Sequence, residues 1–285
     1  MSEKPSLPEL MDRKHYGEKL VMVTAYDAPG ARLAEEAGVD LILVGDSAAN
    51  TVLGYEATVP VTVEEMLVLT RAVSRGAPRS LVVGDMPFGS FQVSDEEAVR
   101  NGIRFLKEGG ADAVKVEGAG PTLARVGALV GAGIPVMGHL GLTPQSATKL
   151  GGLKAQSRTA QQARRLYQDA LALEEAGCFS LVLEAIPAPV AAQVTAALAI
   201  PTIGIGAGPD CDGQVLVYHD VVGLFASPAR FVKQYADLRG DTLKALEGFV
   251  AEVRSGAYPE ERHTYKMPKE ELAGFLEGLP TRRRG

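Results

Sequence analysis

Two hydrophobic rhythms alternate along this chain. Apolar runs of strand length recur at LVMVTAY (20–26), VDLILVG (39–45), RSLVVGD (79–85), DAVKVEG (112–118), PVMGH (135–139), FSLVLEA (179–185), PTIGIG (201–206) and VVGLF (221–225). Between them lie amphipathic segments such as APGARLAEEAG, TVEEMLVLTRAVSRG and TAQQARRLYQDALALEEAG, whose apolar positions repeat at helical spacing. Helix starts are marked by Thr62 with Glu65, Ser94 with Glu97 and Thr159 with Gln162, each at capping-box spacing. Helix stops are marked by Gly38, Gly109-Gly110, Gly133 and Gly177, where the chain turns left-handed. Strands that are apolar throughout and interleaved with helices predict a parallel sheet covered by helices. Eight such strands close a barrel, so the expected fold is an α/β (βα)8 TIM barrel; a doubly wound open sheet is the alternative. Residues 1–19 are expected to be a lead-in with one helix. From about 241 to 285 the chain is expected to form a helical extension, with a short second helix near 268–278, packed on the barrel or on a neighbouring subunit. No linker of domain scale interrupts 1–285, so one domain is predicted.

Composition narrows the function classes. A hydrophobic content of 46% suffices for one large core, and a net charge of −6 argues against a nucleic-acid partner. The only dense basic run, Arg282-Arg283-Arg284, reads as a solvated tail. Cys178 and Cys211 stand alone, with no disulfide or zinc spacing. The opening MSEKPSLPEL has no apolar signal region, so a cytoplasmic protein is expected. Residues 185–209 carry no charge, yet Pro187, Pro189, Pro201 and Pro209 divide them. They read as a buried helix and strand, and no membrane association is expected.

Five of the runs end in a residue that can do chemistry. Asp46, Asp85, Glu117, His139 and Glu184 each lie at a strand's C-terminal end, the position from which barrels build their active sites. Four of them also have a bland alternative: a turn or cap for Asp46, a buried ion pair with Lys115 for Glu117, a supporting role for His139 and an Arg-paired carboxylate for Glu184; the Pro-Phe-Gly-Ser loop after Asp85 suggests a shaped loop over a pocket. In VGDS, Gly45 allows a sharp turn and Ser47 offers a hydroxyl or a backbone N–H to a substrate oxygen. Lys115 and Glu117 are two apart on a strand and so share a face. Burying both is costly unless they are paired or ligated. Asp46, Asp85 and Glu117 form a hard-oxygen set suited to Mg²⁺, with Mn²⁺ or Co²⁺ as substitutes. Apolar neighbours on both sides of Glu184 predict a raised pKa and the role of general base. The Gly-rich stretch 204–213 reads as a tight substrate-facing turn in preference to a phosphate site. Residues 141–158, with Gly151-Gly152, read as a long loop suited to a lid or a cosubstrate contact.

Six segments carry a family resemblance: VTAYDAPGARLAEEAGVDLILVGDS, VLGYEATVPVT, GDMPFGS, VKVEG, PVMGHLGLTPQS and PTIGIGAGPDCDGQVLVYHD. Together they closely resemble ketopantoate hydroxymethyltransferases, in register from about residue 7 to residue 258. The resemblance implies a barrel of the phosphoenolpyruvate/pyruvate enolate-forming type. It implies transfer of a hydroxymethyl group from 5,10-methylenetetrahydrofolate to 3-methyl-2-oxobutanoate, the first committed step of pantothenate synthesis. It places the Mg²⁺ ligands on Asp46, Asp85 and Glu117, and the ketoacid contacts on Asp46, Ser47, Asp85 and Lys115. The proton acceptor falls on Glu184, and the family's site histidine on His139. Cytoplasmic decamers built from pentameric rings are implied as well. Two departures stand out: Ala48-Ala49-Asn50 replaces the expected Leu-Gly and a small or apolar residue, and Gln156-Ser157-Arg158 replaces Gln-Gly-Arg.

Two other functions compete. The same acids suit a magnesium-dependent 2-oxo acid lyase or phosphonate mutase, but the Cys-containing lid typical of that lyase branch is not evident in the sequence. A non-enzymatic binder or scaffold on a degenerate barrel should have lost site residues, and here the acids and Lys115 remain.

Overall fold

A computed structural model of the protein describes residues 4–150, 152, 154–225 and 229–279. Eight parallel strands close a barrel in chain order: β1 (Leu20–Thr24), β2 (Leu41–Val44), β3 (Leu81–Asp85), β4 (Ala113–Glu117), β5 (Val136–Gly141), β6 (Ser180–Glu184), β7 (Thr202–Ile205) and β8 (Gly213–Leu216), with β8 paired back to β1. Closure rules out the open-sheet alternative. Helices Ala28–Glu36, Val63–Gly76, Asp95–Lys107, Thr122–Gly131, Ala160–Glu175 and Ala188–Ala197 cover the outside. The expected caps form: Thr62 and Thr159 make reciprocal capping boxes, and the Ser94 hydroxyl accepts from the Glu97 N–H.

Strand alternation sorts the core into two layers. Inward residues such as Leu41, Leu43, Leu81, Val83, Met137 and Val182 fill the barrel, while Ile42, Val44, Val82, Val114 and Leu183 pack outward against the helices. Leu10, on the N-terminal helix Leu7–Tyr16, joins the interior cluster and plugs the end where the strands begin.

The eighth strand departs from expectation. Residues 221–225 are not a strand: Val221 ends the short helix Tyr218–Val221, and Gly223 turns at φ 70°. β8 is instead Gly213–Leu216. Its first residue must be glycine, because a Cβ there would lie 2.6 Å from the Leu20 carbonyl oxygen and 2.7 Å from Ile203. The Gly-rich stretch is therefore the whole β7–β8 crossover and has no helix. Only its start stays at the mouth. Asp212, at its far end, accepts from the N–H of Thr202, the first residue of β7.

Residues 237–285 form a second compact unit. Helix Leu238–Ser255 starts at Asp237, whose carboxylate accepts from the Gly240 N–H, and stops at the left-handed Gly256. A second helix spans Lys269–Glu277. The Arg282–Arg284 run lies outside the described residues. Among the described residues no helix is long and apolar enough to cross a membrane. The uncharged stretch 185–209 resolves into the helix Ala188–Ala197 and β7.

Candidate active site

Reading inward along the strands explains how polar groups come together at one end. The inner rows run Leu81–Val83–Asp85, Ala113–Lys115–Glu117, Met137–His139 and Val182–Glu184, each apolar below and polar at the C-terminal mouth. Register then sets neighbours: Asp85 pairs with Lys115 across β3–β4, and Glu117 with His139 across β4–β5.

The result is one connected cluster. Lys115 Nζ lies 2.8 Å from Asp85 Oδ1 and 3.8 Å from Glu117 Oε1. His139 bridges two acids, with Nδ1 3.2 Å from Glu117 Oε1 and Nε2 3.2 Å from Glu184 Oε2. Asp46 joins through its backbone, whose N–H donates to Asp85 Oδ2 at 2.9 Å. Four carboxylates thus share two cationic side chains. All are buried except Glu184, which is half-buried.

Burial and charge act against each other here. For Asp46, burial and then the Asp85 and Glu117 charges push the carboxyl well above its ordinary range, against Lys115 and Gln145. Asp85 is raised by burial, although Lys115 opposes it. Glu117 is lowered: burial resists, but His139, Lys115 and the Gln145 N–H outweigh it. Burial opposes the Lys115 charge, yet Asp85, Glu117 and Asp46 raise its pKa. Burial and Lys115 also oppose a charged His139, but Glu117 and Glu184 carry it up to about 9. Lys115 Nζ also approaches His139 Nδ1 to 3.4 Å.

Asp85 Oδ1, Glu117 Oε1 and Gln145 Oε1 are buried without an aligned hydrogen-bond donor. Crowded carboxylate oxygens, four acids against two basic side chains, fit the chemistry of a divalent cation. As the side chains stand, no three His, Cys, Asp or Glu among the described residues converge on a metal position. Lys115 Nζ occupies part of the space between Asp85 and Glu117.

Ser47 lies beside the cluster. Its hydroxyl is 2.8 Å from the Tyr26 hydroxyl, and it leads the short helix Ala48–Thr51. A Cβ at Gly45 would meet Ser47 Oγ at 2.8 Å, so any larger residue there would displace the hydroxyl. Leu183 packs outward against the helices, while the Glu184 carboxylate faces His139.

Sequence reasoning passed over Gln145 and Tyr26. Gln145 is buried in the 3-10 turn Pro144–Ser146. Its side-chain amide donates to Asp46 Oδ2 and the Met86 carbonyl, both at 3.0 Å, and its backbone N–H donates to Glu117 Oε2 at 3.1 Å. The available signal was PQS directly after a strand. The 141–158 segment is more ordered than expected: β5 runs through Gly141, and helix Ala147–Leu150 follows the turn. Residues 151 and 153 lie outside the described set.

Comparison with known proteins now bears on this geometry. A family model described as ketopantoate hydroxymethyltransferase matches residues 4–261. The 3-methyl-2-oxobutanoate hydroxymethyltransferase of Moorella thermoacetica is 56% identical over 262 residues, covering 92% of this chain and 97% of that protein. The enzyme of the same name from Carboxydothermus hydrogenoformans is 52% identical, covering 95% and 98%. Among solved structures, phosphonopyruvate hydrolase superposes with a TM-score of 0.60 at 14% identity, over 97% of this chain and 96% of that one. The 2,3-dimethylmalate lyase, a PEP mutase/isocitrate lyase superfamily member, gives 0.57 at 16% identity, over 98% and 94%. At such low identity these two show the fold alone, a (βα)8 barrel.

Proposed function

The chain belongs to the ketopantoate hydroxymethyltransferase family, and from that premise we propose that it moves a hydroxymethyl group from 5,10-methylenetetrahydrofolate to 3-methyl-2-oxobutanoate, giving 2-dehydropantoate. The observation that carries this reading is the buried Asp85–Lys115–Glu117–His139–Glu184 cluster at the C-terminal mouth. The reaction needs a carbanion at C3 of a 2-oxo acid, and that requires a polarised carbonyl on one side and a base on the other.

We assign the divalent cation, Mg²⁺, to Asp46, Asp85 and Glu117. The support is their oxygen chemistry and the crowding of three buried carboxylates, which raises the Asp46 carboxyl and which a cation would relieve. When bound, such a cation supplies Lewis-acid polarisation of the 2-oxo acid. Lys115 contributes a fixed positive charge beside the oxygen that gains charge, already oriented by Asp85. Glu184 takes the proton from C3. His139 holds Glu184 and Glu117 at a fixed separation and so positions the base against the acids. Ser47 hydrogen-bonds the ketoacid, its hydroxyl oriented by Tyr26. The resulting carbon nucleophile bonds to the methylene carbon of the donor, the two C–N bonds from that carbon to the folate break, water supplies the hydroxyl oxygen and the balancing protons, and tetrahydrofolate leaves.

Exposed Leu246, Phe249 and Val253 on the C-terminal unit's long helix support the proposal of a homodecamer, in which such faces are covered. Native mass spectrometry showing a stable monomer would exclude it. The activity itself is tested by incubating the protein with 3-methyl-2-oxobutanoate, methylenetetrahydrofolate and Mg²⁺ and detecting product by mass spectrometry. A new species 30 mass units heavier is expected (about the mass of CH₂O); its absence at micromolar enzyme overturns the assignment.

A further inference from the structure

Two cavities open at the barrel mouth on either side of the cluster. One, of about 790 Å³, reaches Glu117 and Gln145 and is lined by Phe88, Gln161 and Arg165. The Arg165 guanidinium is 3.0 Å from Asp169, a carboxylate in the same wall, so this cavity offers no surplus positive charge from that residue. The other, of about 970 Å³, reaches Glu184 and Ser47. Lys154, Arg158 and Arg230 line it, and all three are exposed. Among the described residues none of them takes part in an ion pair. Leu142, Ile186 and Phe231 supply an apolar wall.

The backbone beside this cavity is strained in a way that the rest of the described residues are not. Among the described residues, only Ser157 and Ala185 adopt positive φ without being glycine, at 56° and 49°. They meet at one junction: the Gln156 N–H donates to the Ala185 carbonyl at 2.9 Å. Ala185 directly follows Glu184. The segment carrying Lys154 and Arg158 is thus tied to the strand end that carries the proposed base. Strain of this kind persists where the surrounding structure enforces it, and such places cluster at ligand sites.

We propose that the 970 Å³ cavity beside Glu184 holds the one-carbon donor, its flat pterin and benzoyl rings on the Leu142–Phe231 wall and its glutamate carboxylates on Lys154, Arg158 and Arg230. The inference rests on the hydroxymethyl-transfer reading and extends it to the donor's location. The volume matches that of a drug-sized ligand site, and three cations without an ion-pair partner among the described residues match an anionic tail. A donor there delivers its carbon to the side of the ketoacid from which Glu184 removes the proton. Addition then takes place on the face that deprotonation has just opened.

The test measures steady-state kinetics with methylenetetrahydrofolate and, separately, hydrogen–deuterium exchange at C3 of 3-methyl-2-oxobutanoate in the absence of any folate. Wild-type exchange and turnover are established first, so failure of the underlying reading shows before any variant is made. The Arg158→Ala and Arg230→Ala variants are each expected to raise the donor KM about tenfold, with ketoacid exchange within twofold of wild type. Arg230→Lys should recover most of the loss. Arg165→Ala, on the opposite cavity, should leave the donor KM unchanged. An unchanged donor KM in the Arg158→Ala, Arg230→Ala double variant overturns the proposal. So does a larger effect from Arg165→Ala, or a loss of ketoacid exchange equal to the loss of turnover.

Discussion

The two ends of the barrel handle charge in opposite ways. Where the strands begin, charges are paired and tied to backbone, with Arg13 Nε the one of these groups buried without an aligned hydrogen bond among the described residues. Lys14 Nζ lies 2.7 Å from Asp212 Oδ2 and donates to the Thr195 carbonyl, while Asp212 also accepts from the Thr202 N–H and hydroxyl. Arg13 pairs with Asp40 at 2.6 Å, and Asp40 accepts from the Val21 N–H. Glu35 accepts from the Arg79 side chain and the Ser80 N–H. Where the strands end, four carboxylates share Lys115 and His139, and Asp85 Oδ1, Glu117 Oε1, His139 Nε2 and Gln145 Oε1 are buried without an aligned hydrogen bond. One end uses its charges to stabilise the fold. The other carries a cluster that a ligand would complete, at a cost in stability that the first end helps to offset.

Removing a residue from either end should therefore change different observables. The largest effect is expected for Asp85→Ala, which strips Lys115 of its nearest carboxylate. Calorimetry with Mg²⁺ should show ketoacid affinity reduced about a hundredfold, the scale on which truncating a buried charge pair acts. Unchanged affinity would break the contrast at the functional end. Asp212→Ala should do the reverse. It leaves Lys14 without its carboxylate and should lower unfolding free energy by about 2–3 kcal/mol in urea titrations, with kcat intact. A fall in kcat without a fall in stability would show that this end also serves the reaction.

The pH dependence of Glu35 sharpens the same point. Burial would raise its pKa, but the Arg79 and Ser80 N–H groups and the Arg79 charge outweigh burial and lower it. A group with a depressed folded pKa contributes stability above its unfolded value of 4.5, and that contribution is lost as pH falls through the lower folded value. The stability gap between wild type and Glu35→Gln should be widest near about pH 6, roughly 1–2 kcal/mol, and should close toward about pH 3. A gap that widens on acidification would contradict the assignment. The smallest effect is expected for Ser157→Gly. At φ 56° glycine removes the left-handed strain, a gain of up to about 1 kcal/mol, partly offset by unfolded-state entropy. A marked loss of stability would mean that the serine side chain has a packing role that its backbone angle does not reveal.

Much of this was legible in the sequence, for reasons that also explain the failures. Seven strands were readable because each carries several apolar residues in a row and ends at a glycine, a proline or a charged group. β8 was not, since Gly213-Gln214-Val215-Leu216 offers little apolar signal and the Val221–Phe225 run mimics a strand better than the real one does. Lys115 and Glu117 were readable as a same-face pair from their spacing alone. Which groups they meet depends on the β3–β4–β5 register, and spacing along one strand does not contain it. Gln145 was missed because a neutral amide in an irregular turn has no periodicity to mark it. The family departure at Ser157 gained a physical meaning only from its positive φ.

The most direct measurement is proton NMR of 3-methyl-2-oxobutanoate in D₂O with the protein, with and without Mg²⁺ and without folate. Loss of the C3–H signal with wild type and Mg²⁺, but not with Glu184→Gln, is the predicted result; a general base contributes about 10²–10⁴ in rate. Exchange by Glu184→Gln at the wild-type rate would contradict the account, as would no exchange by the wild-type protein even after the folate donor is added.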